Sequence, residues 1–310
     1  MVSYRGRFAP SPTGALHLGS VATALFAAAA ARRAGGGLVL RVEDLDPPRL
    51  VAGSEASQLD DLGWLGLTFD EGPREGGAFG PYRQSERFGR YEAALETLDS
   101  AGLTYLCDCS RAEIARVASA PHEGEDGPRY PGTCRDLPAE GRVFKRPPAV
   151  RLRVPEGDLT YEDTLHGTVG ADVAATAGDF VLRRGDGVFS YQLAVTVDDV
   201  EMGITEVVRG SDLRSSAARQ ALIARLLGKS APRYLHVPLL VGADGQRLAK
   251  RNGSTTIAEH RSRGLAPEAL LATIAAAYGH DVRGSTDPVS DLAASFDPRR
   301  FPSGDVRGIA

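Results

Sequence analysis

Apolar positions open the chain in a strand-like stretch, Tyr4 to Ala9, which stops at a Pro/Gly/Ser turn from Pro10 to Gly14. An alanine-rich run of helical length begins near His17, and a second apolar run, Leu38 to Val42, ends in the acidic-proline cluster "EDLDPPR". Strand, turn, helix and strand in close succession make a βαβ unit, which predicts a parallel sheet with its ligand at the carboxyl edge. Further on, Phe88, Tyr91, Leu95 and Leu98 recur at helical spacing, with Ser85 as the N-cap and Gly102 as the stop. From Cys107 to about Pro148 the periodicity dissolves, most of all in "APHEGEDGPRYPG". Such a stretch reads as an insertion held together by something other than a core. Short β-type runs follow in "AVRLRV", "DFVLRR" and "VFSYQLAVTVDDV". Helical character returns from Ser215 to Leu227 and from Pro267 to Tyr278, where Leu270, Leu271, Ile274 and Tyr278 share one side. After Gly279 a loosely ordered end is expected.

Composition narrows the class. The 310 residues carry 36 Lys and Arg against 40 Asp and Glu, a net charge of −4, and are 42% hydrophobic and 25% charged. These are globular averages, which exclude wholesale disorder. The longest apolar run, Val21 to Ala31, ends at Arg32 and Arg33, far short of a bilayer span, so no membrane association is expected. The first residues lack the apolar core of a secretory signal, and a cytoplasmic chain follows. Three cysteines make no closed disulfide set and read as thiols or metal ligands. With a mildly acidic total, any nucleic-acid surface must be a local patch. One candidate is "RVFKRPPAVRLR", which holds Arg142, Lys145, Arg146, Arg151 and Arg153 with no acid among them. It would grip phosphates without choosing sequence; the plainer reading is a solvated loop.

The first turn has chemistry of its own. Pro10 and Pro12 stiffen it and Gly14 allows tight backbone geometry. His17 and Gly19 then stand at a helix start, where free N–H groups and the dipole suit an anion. His17 can donate to a phosphate. Taken alone, a sharp turn with a surface histidine explains the same letters.

The segment Arg7 to Gly19, "RFAPSPTGALHLG", resembles the signature of the class I aminoacyl-tRNA synthetases, in their glutamyl/glutaminyl branch. His17-Leu18-Gly19-Ser20 stands at that family's "HIGH" motif. The likeness continues through "LRVEDLDPPR", "RQSER" and "VDDVEMGITEVVRGSDL", and ends in "LLVGADGQRLAKR", at the position of the "KMSKS" loop. There Arg247-Leu248-Ala249-Lys250-Arg251 keeps only the second lysine. The resemblance implies an α/β fold: a Rossmann-like, doubly wound parallel sheet with a zinc-containing insertion and a short helical C-terminal region. Its divisions would be 1–106 and 191–258 for the two halves of the catalytic domain, 107–190 for the insertion with its zinc site at 107–134, and 259–310 for the C-terminal region and tail.

It also implies a reaction, in which ATP activates L-glutamate to an adenylate with Mg2+ bridging the pyrophosphate. Carboxylates want the guanidinium fork, which Arg7 and Arg209 supply, and the ammonium wants a carboxylate, which Glu43 supplies. Tyr191 adds a hydroxyl and an aromatic wall. The family reading places glutamate at Arg7, Phe8, Ala9, Pro10, Ser11, Glu43, Tyr191 and Arg209, and ATP at His17, Gly19 and Lys250. No nucleophile or strong base is required, because catalysis is positioning and stabilisation of phosphate charge. His17 and Lys250 are the residues assigned to it, Lys250 from a loop that can close on ATP. Structural ion pairs are the plainer reading of Arg209 and Glu43.

Cys107 and Cys109 form a C-x-C pair, with Cys134 across a polar segment that cannot make its own core, where a structural zinc is useful. Donor chemistry alone names His122 as the fourth ligand, since imidazole is far commoner on zinc than phenolate. The resemblance names Tyr130, which fits the Y-x-x-x-C spacing of "YPGTC" in one branch of the family. Three free thiols are the alternative to any metal. Only enough chain follows Asn252 for one or two helices and a tail, which also matches that branch, whose members lack an anticodon-binding domain. The resemblance then implies that glutamyl-adenylate forms without tRNA and that glutamate passes to the cyclopentene diol of queuosine, at the wobble position of tRNA(Asp). Truncated charging of an acceptor end, or a non-catalytic ATP- or glutamate-binding module, are the alternatives, and a monomer is expected.

Overall fold

The computed structural model describes residues 3–117, 129–242 and 256–307. In chain order the first half runs β1 (Arg5–Phe8), α1 (Leu18–Arg33), β2 (Gly37–Leu40), α2 (Ser54–Trp64), α3 (Phe88–Ser100), β3 (Thr104–Cys107), α4 (Arg111–Val117), β4 (Ala149–Leu152), β5 (Leu159–Asp163) and β6 (Gly167–Ala171). The second half runs α5 (Val173–Thr176), β7 (Val181–Arg183), α6 (Tyr191–Glu201), β8 (Glu206–Gly210), α7 (Arg214–Leu226), β9 (Arg233–Val237), β10 (Leu240–Val241), α8 (Ile257–Ser262), α9 (Pro267–Ala277), α10 (Pro288–Ser295) and β11 (Val306–Arg307).

The predicted parallel sheet is present. β1 pairs parallel with β2 from Arg5 against Gly37 to Phe8 against Leu40. β8 pairs parallel with β9, and β5 joins the far side of β9 at Asp163 against Tyr234. β1 lies beside β8, where Thr205 N donates to the Arg5 carbonyl at 2.8 Å. A separate antiparallel sheet, β3-β4-β7, carries the cysteine region, and β6 closes a hairpin on β5.

α1 is buried nearly all round, from Leu18 through Ala31. Its alanines let it lie close to β1 and β8 on one side and α9 and α10 on the other, as an apolar helix inside a domain must. Among the described residues no helix is long and apolar enough to cross a membrane.

Three local expectations are corrected. "VFSYQLAVTVDDV" is not a strand. Ser190 caps a helix there, accepting from Leu193 N, and every residue from Leu193 to Asp199 is buried. Burial on all sides overrides the β-branched preference. Ser85 is not the cap of α3, because its hydroxyl and amide are both spent on the Asp44 carboxylate and the helix starts at Phe88. The end after Gly279 is not loose. α10 packs on α1, and Val282, Leu292, Phe296 and Val306 are buried among few but well-spaced apolar residues. Gly279 itself has φ +85°, and a Cβ there would stand 2.4 Å from the Arg300 carbonyl, so only glycine allows the tail to fold back so closely.

Candidate active site

The carboxyl ends of β1, β2, β8 and β9 carry the charged groups. Arg7 and Arg209 lie within β1 and β8, Glu43 follows β2, and Tyr191 opens α6. Burial pushes the Tyr191 phenol above its ordinary pKa, and the charges of Arg209, Glu43, Arg7 and Asp199 all bear on it. Contacts tie these groups into one region. Arg7 Nη1 donates to the Val208 carbonyl beside Arg209 at 3.3 Å, and Arg7 and Arg41 share Asp199. Arg41 reaches Glu43, and Tyr191 opens the helix that carries Asp199. Burial raises the Glu43 carboxyl as well, against the pull of Arg41 and Arg7.

Beneath them runs an ion network whose charged members come from four of the motif strings. Asp199 accepts from Arg41 Nη1 at 2.7 Å and Arg7 Nε at 3.3 Å, and Arg41 Nη2 reaches Glu43 at 3.2 Å. Asp198 is fully buried. It accepts from Arg87 Nε at 2.6 Å, Gln84 Nε2 at 2.8 Å and the Tyr91 hydroxyl at 3.0 Å, with Arg41 Nε at 3.5 Å. Burial lifts the Asp198 pKa despite Arg41 and Arg87, whereas at Asp199 burial is outweighed by Arg41 and Arg7 and the pKa falls. Sequence reasoning passed over Arg41, Gln84, Arg87, Asp198 and Asp199. The signal was the Asp-Asp pair in the middle of "VTVDDV", which only makes sense if paired bases are buried beside it.

The loop after β1 is pinned from behind. Gly14 adopts φ 141°, and its amide donates to Ser54 Oγ at 2.8 Å while its carbonyl accepts from Gln58 Nε2 at 2.6 Å. Gln58 also reaches the Ser11 carbonyl, and the Pro10 carbonyl accepts from Glu43 N. Ala9 and Pro10 are half-buried and Ser11 is exposed. The Phe8 ring lies in the core, stacked near Phe69, so that residue offers a ligand only its backbone.

His17 caps α1. Its Nδ1 accepts from Ser20 N at 3.2 Å, and a Cβ at Gly19 would sit 3.2 Å from its ring, so the small residue makes room for the imidazole. Close packing at the helix tip lowers the His17 pKa, against the pull of Asp212, although the residue itself is exposed. Lys250, the rest of the "RLAKR" segment and His122 lie outside the described residues.

Around Arg209 the polar contacts are incomplete. Its Nη1 donates to Gln220 Oε1 at 2.7 Å, its Nε faces His236 Nε2 at 3.3 Å, and its carbon sits 4.8 Å from the Tyr234 ring centre. Arg209 Nη2 is buried without a partner, as are Gln220 Nε2 and Gln192 Oε1. An orphaned buried donor such as Arg209 Nη2 is rare in finished interiors and suits an anionic ligand. A solvent-open depression of about 620 Å3 lies instead at the amino ends of the strands, between Tyr4, Arg33, Glu206, Arg233 and the tail. That is the wrong end of a parallel sheet for a ligand.

In the second sheet the sulfurs of Cys107, Cys109 and Cys134 lie within 4.8 Å of one another. The Tyr130 oxygen is 3.3 Å from Cys107 Sγ and 3.8 Å from Cys109 Sγ, and accepts from Cys134 N at 2.8 Å. Burial pushes the Cys109 thiol up to about 12. Three sulfurs and one oxygen at this spacing are a donor set for a tetrahedral metal.

The basic run is mostly used inside this subdomain. Arg142 pairs with Asp108 and donates to Cys134 Sγ, while Arg151 stacks on the Tyr130 ring and donates to the Asp179 carbonyl. Arg153 lies over Tyr105 and reaches Asp136. Lys145 and Arg146 share Glu113 at the surface and are the run's most solvent-facing charges.

Fold and charged site together define a class I synthetase catalytic domain. The chain matches the family of tRNA synthetases class I (E and Q), catalytic domain, over residues 3–287, and belongs to it. It is similar to the glutamyl-Q tRNA(Asp) synthetase of Symbiobacterium thermophilum, 46% identical over 97% of this chain and 95% of that one. It is likewise similar to that of Nitratidesulfovibrio vulgaris, 50% identical over 84% of this chain and 82% of that one. Among solved structures it resembles a glutamate tRNA ligase from Elizabethkingia meningosepticum in complex with its amino acid. That likeness has a TM-score of 0.82 and 29% identity, and covers 98% of this chain and 67% of that one.

Proposed function

We propose that the chain activates L-glutamate with ATP in the absence of tRNA and transfers the glutamyl group to the cyclopentene diol of queuosine in tRNA(Asp). The observation that carries this reading is the gathering of Arg7, Glu43, Tyr191 and Arg209 at the carboxyl ends of the strands, with Arg209 Nη2 left unpartnered. Arg209 and Arg7 are the guanidinium groups for the carboxylates, Glu43 takes the ammonium, and the backbone of Phe8 to Ser11 lines the amino acid. Names of relatives sharing nearly the whole chain length support queuosine as the acceptor.

His17 and Gly19 at the tip of α1, with Lys250, would receive the triphosphate. Mg2+ would screen the departing pyrophosphate. Cys107, Cys109, Tyr130 and Cys134 would hold a structural Zn2+ that stands in for an absent local core. Residues 1–106 and 191–258 are taken as the catalytic halves, 107–190 as the insertion and 259–310 as the C-terminal region. The chain would act as a monomer in the cytoplasm.

The test is glutamate-dependent exchange of labelled pyrophosphate into ATP without tRNA. Exchange in that mixture, followed by labelling of tRNA(Asp) that vanishes when queuosine is lacking, supports the proposal. Exchange only after tRNA is added would instead support acceptor-end charging. No exchange in either mixture leaves a binding module. Lys250→Ala should depress exchange strongly while leaving glutamate binding nearly intact.

A further inference from the structure

Arg209 is held by a chain of buried contacts that reaches across the sheet. Asp163, at the end of β5, accepts at Oδ1 from the backbone amides of Leu165 and His166, at 2.9 and 3.0 Å. Its other oxygen lies 3.0 Å from His236 Nδ1. The opposite ring nitrogen, Nε2, lies 3.3 Å from Arg209 Nε. His236 is on β9 and is fully enclosed, its ring parallel to that of Tyr234.

The protons in this chain are dictated by its ends. A guanidinium Nε–H can only donate, so His236 Nε2 must accept and carry no proton. A carboxylate can only accept, so His236 Nδ1 must carry the proton and donate to Asp163. Burial favours the neutral ring that this requires, and Arg209 and Arg214 add to it against the pull of Asp163. The hydrogen bonds to Asp163 hold its pKa well below the usual carboxylate range despite burial, so it stays charged. With Nε on His236, Nη1 on Gln220 and one face over Tyr234, the guanidinium cannot turn, and Nη2 is the corner left for a ligand.

We propose that His236, locked in its Nδ1–H tautomer by Asp163, is a positioning residue that aims Arg209 at the substrate carboxylate and so sets the preference for glutamate over shorter acids. The inference rests on the glutamate-clamp reading of Arg209 given above. A fixed hydrogen-bond corner rejects a carboxylate displaced by one methylene, whereas a guanidinium free to swing would follow it.

Three substitutions separate the roles. His236→Asn keeps a donor for Asp163 but has nothing to offer Arg209. In glutamate-dependent pyrophosphate exchange its KM for glutamate should rise about tenfold to about a hundredfold, the range for a lost bond to a charged group. The KM for ATP should stay put and kcat should change little. His236→Gln can place an amide oxygen where Nε2 was, and should recover most of the glutamate KM. Asp163→Asn should act like His236→Asn, because an amide N–H facing Nδ1 drives the ring proton to Nε2, where it meets the Arg209 donor. All defective variants should accept aspartate better relative to glutamate.

A folded His236→Asn chain with unchanged glutamate KM, alongside Arg209→Ala that raises it, would overturn the relay and leave the clamp standing. If Arg209→Ala also leaves glutamate KM unmoved, the clamp itself fails. Should His236→Asn not fold, nitrogen NMR of the unsubstituted chain at neutral pH decides: an Nδ1–H neutral His236 supports the relay, and an Nε2–H ring or an imidazolium overturns it.

Discussion

The floor of the charged site and the cysteine subdomain both bury polar side chains, but they satisfy them by different means. Under the site, Arg7, Arg41 and Arg87 are paired with Asp198, Asp199, Glu43 and Glu201 across elements far apart in sequence, inside extensive apolar packing. In the subdomain the local core is Tyr105, Cys107, Tyr130 and Cys134, with Cys109 and Ile114 against it. That is little apolar area for a segment so rich in glycine, proline and charge, and three of those side chains carry atoms able to bind a metal. The first region is stabilised by charges that complete each other. The second gathers a donor set of the kind that holds a metal ion.

The largest break should come in the first region. Asp198→Ala would leave Arg41 and Arg87 buried without their shared carboxylate, and removing one partner of such a set costs about 3–5 kcal/mol. Urea unfolding should show the whole chain destabilised by that order, and a loss within the scatter of surface substitutions would refute the network's importance. A smaller, local break should follow removal of metal. Elemental analysis should find zinc in the purified chain. Chelation should speed amide exchange in β3, β4 and the segment around Cys134 while moving the global midpoint far less than Asp198→Ala does. Protein that contains no zinc as purified would sink the metal reading.

The smallest effect sharpens the contrast by acid. His236 and His280 are buried, and burial lowers both pKa values below the ordinary 6.5. The unfolded chain therefore binds protons first. Stability from these rings is complete above about pH 6.5 and is lost as pH falls below it, by at most about 1.4 kcal/mol per pH unit for each ring. Among the described residues the segment from β3 to β4 holds no histidine. Melting of metal-free protein between pH 7 and pH 5 should show this fall, and His236→Gln should reduce it; an unchanged slope would contradict the assignment.

The sequence made the first βαβ unit legible because its letters do local work: prolines and Gly14 turn the chain, and an alanine run has one sensible place to go. The charged residues at the strand ends could be named from the motif strings. What supports them could not. Whether Asp198 meets Arg87 depends on α6 being a helix, and the β-branched residues between Ser190 and Val200 argued for a strand until tertiary burial was known. The tail misled for the opposite reason, since Val282, Leu292, Phe296 and Val306 are too widely spaced to show a period. The Asp163–His236–Arg209 contacts join β5, β9 and β8, and nothing local announces them.

One small pairing reaches further than its length suggests. Val306 and Arg307 lie parallel to Leu240 and Val241, and Val306 N donates to the Leu239 carbonyl. In sequence, β10 lies within the string "LLVGADGQRLAKR" that ends just past Lys250. A purification handle fused behind Ala310 would therefore tug on the anchorage of the very stretch assigned to ATP, and handles for kinetic work belong on the opposite terminus.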